Sequence, residues 1–446
     1  MRKGQDGLDI VAAALEAAKA AGADQADALL ITERSLEVSL REGAIENVER
    51  SEGHDLGLRV IVQQSQAIVS MSKLDRDTIR EAAKRAVDMA RVAPRDPYAG
   101  LAETGLARDV PDLDLWDGRE IASEALQSLA KEAEDAALSV TGVTKSSGAG
   151  ASASSRSVVL GTSHGFLKTY QRSGFGFSVS VIAGEGTAME RDYDYSSAVH
   201  YGDLKPAAEI GRRAGERAAR RLNPRKTPSQ KVPVVYDRRV SASLIGHFAS
   251  AIAGPSVARG TSFLKDRLGK EVFAEGISIV DDPLRRRGLG SRPFDAEGVA
   301  VAPSALVENG VLKSFLLDQS SARQLKLTPT GHASRSTGSP PSPSPSNLYM
   351  TAGRLAPEAL MADIAAGFYV TELLGMGVNG VTGDYSRGAT GFWIEKGQLT
   401  FPVSEVTIAG NLKDMYRNIT AADDLEFKMT TNAPTLRVEG MTVAGA

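Results

Sequence analysis

Apolar residues recur at helical spacing over residues 9–21, behind Asp9, a side chain suited to cap a first turn. Four segments follow: ADALLITE, SLEVSLREG, DLGLRVIVQ and QAIVSMS. Each alternates or is β-branched, and each is cut by Gly, Glu or Ser, which predicts antiparallel strands. Residues 75–92 return to helical periodicity, and PRDPYAG closes this unit near residue 100. A second round opens with an amphipathic helix over 116–138. It continues as a strand meander with turns at Gly161, Gly165 and Gly184–Gly186, and ends in an arginine-rich helix over 203–222. Helix, strands, helix thus occurs twice, the pattern of a structural duplication. LNPRKTPSQK (222–231) has linker composition. Beyond it strands dominate, with ENG and EKG marking tight hairpins, and helical spacing returns only at 239–253, 320–326 and 357–366. The expectation is an α+β fold of antiparallel sheets with flanking helices. Two N-terminal α/β units (1–100 and 101–225) precede a strand-rich C-terminal domain (232–446).

A chain of 446 residues exceeds one small core, in keeping with that division. The net charge of −3 supplies no overall field toward nucleic acid or anionic lipid. There are no cysteines, which excludes disulfides, thiolate zinc sites, iron–sulfur clusters and a cysteine nucleophile. MRKGQDGLDIVAAALEAAKAAG turns polar within each helical turn, and no stretch reaches about 18 uninterrupted apolar residues. Neither a signal peptide nor a membrane span is expected, and the cytoplasm is the default location.

Several motifs suggest chemistry, and each has a plainer reading. GMGVNG (375–380) fits a dinucleotide fingerprint, but such a site needs a helix opening at the third glycine, and VTGDYSRGATG cannot hold one. Arg213, Arg217, Arg220 and Arg221 near one helix face suit phosphate or a solvated surface, with Glu190, Asp192 and Asp194 as partners on the preceding meander. PPSPSPSNLYM (340–350), downstream of His332 and Arg335, reads as a rigid loop pinned at both ends, with an isolated disordered tract as the alternative. TGDYSRGATGFW (382–393) gathers Asp384, Tyr385, Ser386 and Arg387 in a glycine frame. Ser386 as nucleophile would need a histidine base, His332 or His247. The alternative is a structural turn braced by an Asp384–Arg387 pair. In LIGHFASAIAG (244–254) the apolar Leu244, Ile245, Phe248 and Ile252 form one face of a helix starting near Ser241, with His247 beside it. A catalytic zinc takes several protein ligands and a proton-transfer carboxylate, and this helix offers one histidine and no acid.

Several long blocks in one order resemble the TldD/PmbA family, also called modulators of DNA gyrase. They include RGTSFLKDRLGKEVF, DDPLRRRGLGSRPFDAEG, TGHASRSTGSPPSPSPSNLYM and GVNGVTGDYSRGATGFWIEKGQLTFPVSEVTIAGNLKDM. The likeness is to the PmbA, or TldE, branch. It implies an intracellular zinc metallopeptidase system acting on unfolded peptides, in which TldD-type subunits carry His-Glu-x-x-x-His on a helix and a C-terminal cysteine ligand. Aligned on that motif, Gly246 and Ala251 stand at the histidine positions and His247 at the glutamate. The resemblance therefore implies a non-catalytic subunit with no metal of its own. Zinc is expected in a TldD-type partner, in a heterodimer or otherwise a homodimer. His332, Arg335, Asp384, Tyr385, Ser386 and Arg387 would face one peptide or partner cleft. The rival readings are an independent hydrolase and a regulatory binding protein of gyrase.

Overall fold

The computed structural model describes residues 3–445. Helix α1 (Lys3–Ala21) begins upstream of Asp9, which lies inside it. ADALLITE and SLEVSLREG, expected as two strands, form a single one, β1 (Gln25–Arg41). The polar Glu33–Ser35 segment between them does not break it. It is hydrogen-bonded on one side to β2 (Ala44–Val62) and on the other to β4 (Val143–Thr162), so its backbone groups stay satisfied. β3 (Ser65–Met71) and α2 (Arg76–Val92) complete the first round, with Asp75 capping α2 by accepting from the Thr78 amide at 3.1 Å. Helix α3 (Ser123–Leu138) starts later than its periodicity suggests, because Gly118 adopts φ of +71° and holds the preceding chain out of the helical region. β5 (Leu167–Ala183), β6 (Glu190–Ala198) and α4 (Ala207–Arg220) follow. Both rounds share one antiparallel sheet of order β3-β2-β1-β4-β5-β6. α1 and α2 bury Val11, Ala83 and Val87 against Leu58 and Val60, while Ala133 and Ile210 of α3 and α4 pack with Val38, Phe177 and Val179.

Arg213, Arg217 and Arg221 do not form a solvated face, whereas Arg220 stays exposed with its guanidinium over the Phe392 ring. Arg213 and Arg217 ion-pair with Asp194, and the buried Arg221 reaches Asp192 at 3.5 Å and Glu372 at 2.7 Å. Arg239 joins Asp192 at 2.7 Å, and Lys428 joins Asp194 at 3.5 Å. The acids of β6 thus tie the arginine helix to the C-terminal domain.

That domain runs through β7 (Gln230–Tyr236), α5 (Arg238–Ala251), α6 (Gly254–Ala258), β8 (Ile279–Asp281), β9 (Ser304–Glu308) and β10 (Val311–Leu312). It continues with α7 (Gln319–Leu325), β11 (Ala333–Ser334), β12 (Ser342–Pro343), β13 (Leu348–Met350), α8 (Pro357–Met361) and β14 (Ala366–Leu374). Last come β15 (Asp384–Glu395), β16 (Gln398–Asn411), α9 (Leu412–Arg417), β17 (Ile419–Ala421), β18 (Thr431–Asn432) and β19 (Leu436–Ala444). The order β16-β15-β14-β7-β19-β17 is curled so that β16 also pairs with β19, giving a barrel-like sheet. A smaller sheet, β10-β9-β8-β13-β18, packs into the same core. The molecule is α+β with antiparallel sheets; β7–β14 and β13–β18 pair in parallel. No described helix is long and apolar enough to cross a membrane.

Candidate functional site

Asp237 caps α5 by accepting from the Arg239 amide at 2.8 Å, and its other oxygen accepts from the Tyr369 hydroxyl at 2.9 Å. This cap starts the helix at Arg238, ahead of Ser241. Leu244, Ile245 and Phe248 are fully buried. Phe248 meets Phe273 edge-on with ring centres 5.2 Å apart, and the Tyr416 hydroxyl donates to the Leu244 carbonyl at 2.9 Å. With that face fixed in the core, the other side of α5 borders a cavity of about 260 Å³. His247, Ala251, Phe263, Met376 and Val378 are among its lining residues. The His247 ring approaches Tyr385 edge-on at 6.1 Å, and its Nε2 is enclosed without a partner. Burial, reinforced by the Arg387 charge, holds the imidazole below its ordinary pKa, so the ring is neutral at pH 7.

Strand β15 deals its side chains alternately to two faces. Tyr385 and Arg387 share the face toward His247, and Asp384 and Ser386 take the other. Burial pushes the Tyr385 phenol up, and its hydroxyl is enclosed next to that of Tyr236. Asp384 is exposed and accepts from the Thr382 hydroxyl at 2.6 Å and the Asn411 amide at 3.0 Å, bonds that hold its carboxyl below the usual range. The Asp384–Arg387 brace is not formed, because a spacing of three on a strand puts the two on opposite faces. The same alternation turns Ser386 away from His247, so its hydroxyl has no base there. The Ser386 amide donates to the Gly377 carbonyl at 2.7 Å, and a Cβ at Gly377 would run into the Ser386 carbonyl. Close approach of two backbones is the role of that glycine in GMGVNG, and the element that follows is a strand. Reading the motif for a nucleotide leaves out Met376 and Val378, which wall the cavity; their apolar character in a glycine loop is the signal that points to them.

The loop at 328–346 is held by other neighbours. His332 is buried with Nδ1 2.8 Å from the Thr330 hydroxyl and Nε2 3.3 Å from the Asp281 carboxylate. Arg335 ion-pairs with Asp27 of β1, which also holds Arg59 of β2, and Thr337 hydrogen-bonds Asp55 of β2. These bonds dock the loop on the N-terminal sheet. None of the cavities around His247, Arg59 or Arg267 is lined by both this loop's His332 or Arg335 and the 384–387 segment.

The residues on α5 do not suit a catalytic zinc. A Cβ at Gly246 would meet no atom within 4 Å, so space for a side chain exists but a donor does not. Ala251 offers none, and the Arg387 cation beside His247 would repel a dication. Among the described residues no group of three or more His, Cys, Asp or Glu side chains is arranged to hold a metal ion.

Family models match the chain over most of its length. They are the PmbA/TldA metallopeptidase domain 1 at residues 26–90, the central domain at 116–222 and the C-terminal domain at 229–445. Metalloprotease PmbA of Escherichia coli O157:H7 is 38% identical over 440 residues, covering 98% of this chain and 96% of that protein. The PmbA homolog of Haemophilus influenzae is 37% identical over 438 residues, 98% of this chain and 95% of its own. A solved structure from Bacteroides thetaiotaomicron, of a protein carrying a DNA gyrase modulator name, matches with TM-score 0.92 at 26% identity over 100% of both chains. TldE from Thermococcus kodakarensis shares the fold, with TM-score 0.86 at 20% identity over 97% of this chain and 99% of its own.

Proposed function

Because the chain belongs to the PmbA/TldD metallopeptidase family, we propose that it is the PmbA/TldE-type subunit of a zinc metallopeptidase, one that holds unfolded peptide while a TldD-type partner supplies the metal and cuts. The observation that carries this reading is the make-up of α5. Its core face is fully packed, His247 and Ala251 line the cavity, and Gly246 has open space around it, where the resemblance puts two histidines and a glutamate on a metalloprotease helix. A helix kept for packing beside an open cavity suits a subunit that shapes a cleft. Extended peptide held through backbone hydrogen bonds would be accepted with little regard to sequence. The assembly is a heterodimer, or a homodimer where no TldD-type protein is present, working in the cytoplasm. Ser386, turned away from His247, lends no support to an independent serine hydrolase.

The test is reconstitution. The purified protein, dialysed against dilute chelator, should hold far less than one zinc and cleave no unfolded peptide. Added to a TldD-type protein, it should co-elute with it and raise its peptidase activity. About one tightly held zinc per molecule, or peptidase activity by the protein alone, would overturn the reading.

A further inference from the structure

Arg387 has no carboxylate. The guanidiniums of Arg59, Arg213, Arg217, Arg221, Arg239 and Arg335 each hold an acid, and those of Arg172, Arg292 and Arg323 hold backbone carbonyls. Arg387 is half-buried, its Nε is enclosed without an acceptor, and no described protein group pairs with it. Enclosing part of a cation without a partner is costly, and a protein that retains such a group has a use for it. His247 lies beside it in the same condition, with Nε2 enclosed and unbonded and the ring set edge-on to Tyr385. His247 also lines the cavity at α5, whose walls Phe263, Met376 and Val378 are apolar. Phe263 links that cavity to a neighbouring hollow of about 400 Å³, where Lys265, Arg267, Lys270 and Lys413 stand against a single acid, Asp266. In a protein of net charge −3, this is a local region of the opposite sign.

We propose that Arg387, on the face of β15 toward His247, and the cavity-lining His247 form a carboxylate-binding subsite beside this cavity, which fixes one end or one acidic side chain of an extended peptide. The proposal rests on the peptide-holding reading above and names the group by which the peptide is gripped. Arg387 supplies charge and a planar pair of donors, the geometry a carboxylate accepts. His247 supplies one further ring N–H, and the apolar walls take the neighbouring side chain. The basic hollow draws the acidic segment in. The α-carboxylate at a peptide's C-terminus and an Asp or Glu side chain present the same group, so the experiment must separate them.

Fluorescein-labelled peptides of one Ala/Gly/Leu sequence would be made in three forms: a free C-terminal acid, an amidated peptide, and an amidated peptide with one internal Glu. Each is titrated into the full-length protein, alone and with its metallopeptidase partner, and followed by anisotropy. The wild-type protein should bind one carboxylate form at least on the order of 10-fold more tightly than the neutral amide. Whichever acid is preferred identifies the source of the carboxylate. Arg387→Met should remove that preference while leaving amide binding and melting temperature unchanged. Equal binding of all three forms by the wild-type protein overturns the subsite and leaves the peptide-holding reading intact. A carboxylate preference that survives Arg387→Met also overturns the subsite. Binding of none of the three, alone or in the complex, overturns both.

Discussion

Glu297 is 4% exposed and accepts from the Gln319 amide at 2.9 Å. Burial, and then the neighbouring Asp295 carboxylate, push its pKa up to about 8 from the 4.5 it has when unfolded. The folded protein therefore binds a proton that the unfolded chain has released. The stability this group contributes is fully present below about 4.5 and is lost as pH rises through about 8. At about 1.4 kcal/mol per pKa unit the effect is several kcal/mol at most, shared with Asp295. Glu297→Gln keeps an acceptor for Gln319 and removes the titration. It should melt higher than the wild type at pH 9, with a smaller decline in melting temperature between pH 5 and pH 9. An unchanged decline in a calorimetric scan would refute this. His247 was readable as a residue of interest because helical periodicity places it beside an apolar face, and Tyr385 and Arg387 because they cluster with other polar residues in a glycine frame; that this segment is a strand, which sets their faces, was not read. The partner of Arg335 was not, because Asp27 stands 308 positions away. No local pattern links the two; only the docking of the loop on the sheet brings them together.

Elements with strong periodicity, such as α2 and α5, lie close to where the spacing of apolar residues puts them. The misreadings came where satisfaction from outside overrides local pattern. β1 crosses its polar midpoint because it is paired on both flanks, and the Pro-Ser stretch, legible as rigid, gave no sign of what it docks against. That docking has a tight point. Gly57 of β2 lies against the backbone of Thr337, and a Cβ there would run into the Thr337 carbonyl and Cα. Gly57→Ala should force the loop away and cost about 1–3 kcal/mol, the range for overpacking a close contact. Hydrogen exchange at residues 333–344 should quicken while exchange at β15 stays as it was. Unaltered protection in the loop, with unaltered stability, would show that the contact bears no weight.

Across the whole molecule, the mixed α+β class was visible in the alternation of segments, but the closure of the barrel was not. β7 pairs in parallel with β14, a partner reached only after β8, β9, β10 and β13 of the second sheet have intervened, and such a crossover has no signature in sequence spacing. The union of the N-terminal sheet with this barrel rests partly on Asp192, which Arg221 and Arg239 share. Asp192→Ala removes the nearest acid of the half-buried Arg239, which keeps only Asp237 at 3.6 Å, and one of the acids around Arg221, and should cost about 3 kcal/mol. Thermal unfolding should then broaden or split as the two bodies lose their coupling. A single sharp transition at the wild-type temperature would place the coupling elsewhere. The barrel's closure also bears on how the protein is made. Tyr236 of β7 packs its hydroxyl against Met441 of β19, 205 residues further on, and β7 has β14 on one side and β19 on the other. On a ribosome the N-terminal sheet can complete itself once β6 has emerged, whereas β7 must wait with an open edge until Leu436–Ala444 has emerged. During translation this half of the nascent polypeptide exposes an unpaired strand for the longest time, and it is the half for which chaperone cover would matter most.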